Sequence, residues 1–443
     1  MALWEREARA GGKISSDIAG GYLTEQAAAV VMNFRPEVTQ LLAETGLDAV
    51  KAPRAAAAQH RYLVDRKRLV PVPIAMRDML GSPLWSARGR LRLLLEPFVR
   101  RGGHDAETVS EFVRRRFGRE LLEKAMEPFV SGPLASDPDQ ASARAILPRL
   151  TALERRYGSV VLGALLHKVI GRRTAYPPET FSFAGGMATL VQALAGATGA
   201  GLRAARQVTG LEPHAGGWRV TGSTGGFERS VVARQVVLSV PAPVASNLVA
   251  PLDTALERLL QGISYTPLAV VHLGFRRDAI AHALDGAGFL APRCEGLPLN
   301  GNLWSSSLFD GRAPPGHALL TSYLGGARCP QAIDWSDERA ISVALATLEP
   351  LLGVRGTPAM ARINRHRDAL PLYYGDHPGR LGAIDACLVR LRGLHLVANY
   401  RDGISIRDRI VCARAAAQRI AAELLRGSHA PGRAHHGPRY ALA

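Results

Sequence analysis

Apolar residues along this chain repeat with two different periods, and the period switches several times between the two ends. Ala2, Leu3 and Trp4 read as the end of an apolar strand, and 21–25 (Gly-Tyr-Leu-Thr-Glu) as a second short strand. Over 38–47 the apolar positions fall at helical spacing. From about 74 to 170 the helical period dominates. Leu91, Leu94, Leu95 and Phe98 recur near every 3.6 residues, and Val109, Phe112 and Val113 begin another such face. Thr108 followed by Glu111 is the Thr-x-x-Glu pattern of a helix start. Short strands and turns return between 201 and 225. Residues 236–240 read as a buried strand ended by Pro241. Strands at 268–275 and 318–324 then flank a long helix at 337–352. A buried strand at 394–398 and an alanine-rich helix at 410–425 close the pattern. The Gly, Pro and His residues from 427 onward predict a disordered tail.

Strand-turn-helix texture thus appears at the start, in the middle and near the end, with helical and mixed stretches between. Independent tandem domains do not produce that interleaving. A nucleotide-binding sheet assembled from distant segments does, so the predicted fold class is α/β.

Composition narrows the partners. The chain has 443 residues, 47% of them hydrophobic, enough for a large core. Its formal charge is +17. Lysine occurs only at positions 13, 51, 67, 124 and 168, so the basic charge is nearly all arginine, spread along the chain. That argues against a nucleic-acid partner and leaves a milder attraction to anionic lipid surfaces. No apolar run reaches the ~18 residues of a membrane span. Glu5, Arg6, Glu7 and Arg9 follow Met1 with no apolar stretch, so no secretory leader is expected. Cys294, Cys329, Cys387 and Cys412 form no CxxC pair and suit buried thiols better than zinc or disulfides.

Glu5 directly follows an apolar strand, where dinucleotide folds place the acid that bonds the adenosine ribose. Gly11 and Gly12 would let backbone pass close to a pyrophosphate. The partner motif, G-x-G-x-x-G opening a helix, belongs one strand and one helix upstream of Glu5. Only four residues stand there, so an N-terminally truncated nucleotide site is expected, with weak flavin uptake if the chain is complete.

The segment Glu5-x-x-x-Arg9-x-Gly11-Gly12-Lys13 resembles the second half of the flavin signature of the amine-oxidase and protoporphyrinogen-oxidase superfamily. Gly393-Leu-His-Leu-Val-Ala-Asn399-Tyr400-Arg-Asp-Gly403-Ile404-Ser405-Ile-Arg-Asp408 resembles its last flavin motif. Glu127-Pro-Phe-Val-Ser-Gly132-Pro-Leu-Ala-Ser136-Asp137-Pro138, Phe181-Ser-Phe-Ala-Gly185-Gly186-Met187, Gly286-Ala287-Gly288-Phe289-Leu290, Tyr323-Leu-Gly325-Gly326-Ala-Arg328 and Ala369-Leu-Pro371-Leu-Tyr373 are similar to protoporphyrinogen oxidase segments, in the same order.

The resemblance implies FAD as cofactor and a porphyrinogen, protoporphyrinogen IX or coproporphyrinogen III, as substrate. It implies dioxygen or another electron acceptor as oxidant, with flavin chemistry and no catalytic side chain. It implies cofactor contacts from Glu5, Arg9, Gly11, Gly12, Lys13, Val208, Asn399, Tyr400, Gly403, Ile404 and Ser405. For the substrate it implies Arg77 on a propionate, Gly132 beside the macrocycle, and Leu290 and Tyr323 around the rings. It divides the chain into an FAD-binding Rossmann-like domain (1–55, 176–262, 386–426), a mixed-sheet substrate domain (56–80, 263–385) and a helical insertion (81–175), with the tail at 427–443. The departures are Ala27-Ala28-Ala29 for a common Gly-Pro-Asn, Ala287 for a phenylalanine, Ala398 for a glycine and Arg409 for a cysteine.

Other readings stay open. One is a different oxidase or desaturase of the superfamily; another is a non-enzymatic tetrapyrrole-binding remnant. The helices of 82–130 are read as facing the core, with peripheral membrane attachment from the cytoplasm as the alternative. His366 and His377 are read as structural, and Tyr400 as packing. No metal site is expected, and a homodimer is possible.

Overall fold

A computed structural model describes residues 1–73, 81–170, 178–401 and 403–428. The centre of the molecule is a seven-stranded sheet. Its strands run in the order Met360–Pro371, Tyr265–Arg276, His317–Gly325, Leu299–Trp304, Gly286–Leu290, His60–Asp65 and Arg68–Pro71. All neighbours are antiparallel except Gly286–Leu290 with His60–Asp65. Strands far apart in sequence therefore share one core.

Alternation gives the sheet two chemically distinct faces. Ala269, Val271, Leu273 and Phe275 point to one side and pack against Ala340, Ala344, Leu348 and Leu352. These last four lie every four residues along the helix Asp337–Leu352, capped by the Ser336 hydroxyl on the Arg339 amide. The other face carries Val270, His272 and Gly274. There the strand Tyr22–Glu25 crosses, and the Tyr22 ring lies 2.5 Å from where a Gly274 Cβ would stand.

Two parallel strand pairs lie outside this sheet: Leu3–Trp4 with Leu202–Arg203, and Val236–Leu238 with Leu394–Leu396. A three-stranded meander spans Gln207–His214, Gly217–Thr224 and Phe227–Ala233. Its inner side joins Val236, Leu238, Leu394 and Leu396 in a second core. The 23-residue helix Ile406–Ser428 follows, reaching the helix Pro36–Glu44 and its cluster through Ile406 and Ile410.

The helical stretch has its own core. Val109, Phe112 and Val113 are fully buried on Val109–Phe117, which begins with the expected Thr108–Glu111 capping box. The helix Ala87–Leu94 behaves differently and corrects one expectation. It buries none of its residues, and Leu91, Leu94, Leu95 and Phe98 are 56, 60, 44 and 82% exposed. Helical spacing shows that residues share a face but does not show what the face meets.

Buried ionic contacts fasten this stretch. The Glu96 and Arg116 side chains are both fully buried and paired. Glu96 also accepts the Ser159 hydroxyl and the Val160 and Val161 amides at a helix start. Burial alone would raise its pKa; these donors outweigh that and bring it below the ordinary carboxylate value.

Candidate functional site

The N-terminal segment folds as a tight, self-bonded turn. The Glu5 amide donates to the Arg203 carbonyl, and the Arg206 amide to the Glu5 carbonyl. Among the described residues the Glu5 carboxylate accepts only the Glu7 amide, at 2.8 Å, at the carboxyl end of a parallel strand. Arg9 curls back onto the Gly12 carbonyl at 2.8 Å. Gly11 and Gly12 both adopt positive φ, 106° and 55°. Only Gly12 is open to a ligand. A Cβ on Gly11 would stand 2.7 Å from Val191 Cγ1 and 2.9 Å from the Ile14 carbonyl. The positive φ and the packing of the helix Ala188–Thr198 against this position are enough to require glycine there.

Lys13 is a fastener. Its ammonium donates to the Asp368 carbonyl and, at 2.9 Å, to that of Ala369. Burial lowers its pKa, and Asp368 opposes the shift. A few residues on, the Tyr373 hydroxyl donates to the Asn399 carbonyl and accepts the Gly403 amide at 3.3 Å. The Tyr373 ring stacks on His377, centroids 4.3 Å apart and planes 10° from parallel. His377 Nε2 in turn bonds the Tyr400 carbonyl at 2.9 Å. Lys13, the end of one central strand and the Asn399–Gly403 segment are thus tied together by contacts no local pattern shows.

Gly186 joins from the middle of the chain. At φ +83°, its missing Cβ would stand 2.3 Å from Ser16 Oγ and 2.9 Å from Glu25 Oε1. The Glu25 carboxyl accepts Ser16 Oγ at 2.6 Å and the Met187 amide at 2.9 Å. Burial raises its pKa despite these donors. Val208 sits at a bulge and packs on the cluster holding Leu396, Ala398 and Tyr400. Tyr400 is fully buried there, which agrees with a packing role. Ser405 caps the last helix: its hydroxyl accepts the Asp408 amide and donates to that carboxylate at 2.6 Å. Ile404 lies between Gly403 and this cap. His366 bonds the Gln26 carbonyl at 2.8 Å and is structural.

These residues fit a flavin nucleotide. Glu5 has acceptor capacity to spare at a strand end, the Gly12 turn is open, and a long helix aims its positive end at the Asn399–Gly403 segment. The sequence had marked Arg409 only as a departure. Its Nη1 donates to the Ala398 carbonyl at 2.5 Å, while its Nε and Nη2 are buried without partners among the described residues.

Next to this lies a second constellation. Leu290 pairs with Gly301, Gly301 with Tyr323, and Tyr323 with Val270, across four adjacent strands. All face away from the helix Asp337–Leu352. Gly132 comes from the helical stretch to meet them: a Cβ there would stand 2.6 Å from Leu290 Cδ2 and 2.7 Å from the Pro128 carbonyl. Tyr323 keeps part of its surface accessible, yet burial and the nearby Glu25 push its pKa up to about 12. It stands on the same sheet face as Leu290, with Glu25 close enough to act on its hydroxyl. Arg77 lies outside the described residues. Spacing had also missed Glu127 and Arg328, a buried pair at 2.9 Å that fixes the Gly132 segment onto the sheet.

The model of flavin containing amine oxidoreductases matches residues 1–421. The chain belongs to that family. Tobacco mitochondrial protoporphyrinogen oxidase is 30% identical over 92% of this chain and 87% of its own. Coproporphyrinogen III oxidase of Bacillus subtilis is 25% identical over 94% and 90%. A crystal structure from Exiguobacterium sp. 255-15 superposes with a TM-score of 0.78, covering 95% of this chain and 93% of that one, at 21% identity. Family membership makes this chain a flavin-dependent oxidoreductase. Among the described residues, no His, Cys, Asp and Glu cluster could hold a metal, and no helix is long and apolar enough to cross a membrane.

Proposed function

We propose that this chain uses FAD to oxidise a porphyrinogen, protoporphyrinogen IX or coproporphyrinogen III, to its porphyrin, with dioxygen as final acceptor. The observation that carries the reading is the row Leu290, Gly301 and Tyr323 facing Gly132. A tetrapyrrole is a broad, apolar ring system and needs apolar walls. Leu290 packs against Gly132 and Gly301, and with Tyr323 it gives this face of the sheet such a wall. Tyr323, with its pKa near 12, presents a neutral hydroxyl at physiological pH. The names of the relatives point to the same substrates.

FAD is favoured over a mononucleotide because Glu5 and Val208 are placed for the adenosine half. When bound, the flavin supplies the hydride acceptor; the protein supplies position. Glu25 and Ser16 hold the Gly186–Met187 turn, Tyr373 holds Asn399 and Gly403, and Lys13 ties the N-terminal turn to the central sheet. Arg77 is assigned to a substrate propionate on the chemistry of its guanidinium.

The test is aerobic incubation of the FAD-supplemented chain with each porphyrinogen, followed by porphyrin fluorescence. Formation above autoxidation supports the proposal. Turnover of amines or isoprenoids alone supports the other superfamily reading, and colourless protein that takes up no flavin supports the remnant.

The exposed Leu91, Leu94, Leu95 and Phe98 favour a peripheral site on an anionic cytoplasmic membrane face. Arg88, Arg90, Arg92, Arg100 and Arg101 lie among and beside them, a pairing of apolar surface with cations that suits a bilayer interface.

A further inference from the structure

Arg409 is unusual among the arginines of this chain. Its Nη1 donates to the Ala398 carbonyl at 2.5 Å. Its Nε and Nη2 are buried, and neither meets an acceptor among the described residues. No carboxylate pairs with it there. Asp408 next door is taken by Arg407 and Ser405, at 2.8 and 2.6 Å. Arg401 shows the contrast: one of its nitrogens is also buried without a partner, but another pairs with Asp385 at 2.5 Å. A guanidinium stays charged at any ordinary pH, and buried charges in proteins are paired. A cation with two unanswered donors is the mark of an acceptor that comes from outside the chain.

Its position says which acceptor. Ala398 follows the strand Leu394–Leu396, one of a parallel pair, and ligands of such sheets lie beyond the carboxyl ends of the strands. Arg409 reaches that edge from the first turn of the helix Ile406–Ser428, whose positive end adds to its own charge. Asn399 and Gly403, held by Tyr373, border the same edge.

We propose that Arg409 is a cofactor-binding residue, donating its Nε and Nη2 protons to oxygen atoms of the flavin nucleotide. The assignment rests on the chain binding flavin. The oxygens belong either to the phosphates or to the flavin ring and ribityl chain; both offer electron-rich acceptors for a two-pronged donor.

The experiment compares full-length wild type, Arg409→Met and Arg409→Lys. Flavin is removed, and the affinities for FAD, FMN and riboflavin are read from fluorescence quenching, with melting of the flavin-free proteins alongside. Arg409→Met is expected to weaken FAD binding about 10- to 100-fold, the usual range for losing charge-assisted hydrogen bonds. Arg409→Lys, with the charge but not the fork, should fall between. A loss shared equally by riboflavin assigns the ring and ribityl oxygens; a loss confined to FAD and FMN assigns the phosphates.

Flavin-free Arg409→Met should melt at or above wild type, because two buried donors without acceptors have gone. A residue that only props up Ala398 would do the reverse. A variant that fails to fold, or that melts lower while binding FAD within twofold of wild type, overturns the proposal. Wild type that takes up no flavin overturns the flavoprotein reading and this assignment with it.

Discussion

Replacing Arg328 with methionine tests whether the Gly132 segment is held on the sheet by one buried pair. The Arg328 and Glu127 side chains are 9 and 8% exposed, so solvent screens their attraction little. Arg328 Nη2 reaches Glu127, Ser131 Oγ at 2.9 Å and the Ala291 carbonyl at 2.8 Å, and Nη1 reaches the Leu299 carbonyl at 3.1 Å. Among the described residues Glu127 keeps one other donor, the Arg293 amide at 2.8 Å. Methionine fills similar space but leaves the carboxylate without a cation and two carbonyls short of a donor. Breaking a buried pair from one side costs about 3–5 kcal/mol. For a chain this large that is roughly a 3–5 °C fall in Tm by differential scanning fluorimetry. The same change frees the Gly132 segment from the strand bearing Leu290, so KM for the porphyrinogen should rise more than kcat falls. Glu127→Gln combined with Arg328→Met should cost less than the sum of the single changes, since the unpaired charge goes as well. Arg328→Met melting within 1 °C of wild type, with unchanged KM, would refute the idea that this pair holds the wall.

Gly11→Ala should destabilise the chain by about 1–3 kcal/mol, because the residue has φ +106° and its Cβ would meet Val191 and the Ile14 carbonyl. Adding Val191→Ala should restore less than half in a urea titration, since the backbone clash and the dihedral remain. Burial pushes the pKa of His272 and of His377 down to about 4 from an ordinary 6.5. The unfolded chain therefore binds protons before the folded one, and their contribution is full above about pH 6.5 and falls away toward pH 4. Denaturation midpoints should drop over that window, and His377→Gln should flatten the slope. Leu91→Ser with Phe98→Ser should abolish sedimentation with anionic liposomes while leaving Tm within about 1 °C, as expected of exposed positions; unchanged sedimentation would exclude this face as the membrane contact.

Much was legible in the sequence because it is local. The helix Asp337–Leu352 runs over the residues predicted, since its period and its Ser336 cap are both written within a few positions. The capping box at Thr108 is another case. The strand ending at Glu25 and the buried strand beginning at Leu394 were visible in short apolar runs. The motif resemblance supplied Gly132, Leu290 and Tyr323 as a set.

Tertiary structure alone decided who meets whom. Leu290, Gly301 and Tyr323 come into one row through strand register, a property of pairings between distant segments. Lys13 bonds carbonyls more than 350 residues away, a contact no local pattern encodes. Leu91 and Phe98 share the spacing of a core face yet point outward, because periodicity encodes a face and not its surroundings. Arg409 looked like a minor substitution until folding buried two of its donors with no acceptor among the described residues. Period and capping are set by neighbours in the chain; burial and partnership are set by neighbours in space, and these exist only once the chain has folded.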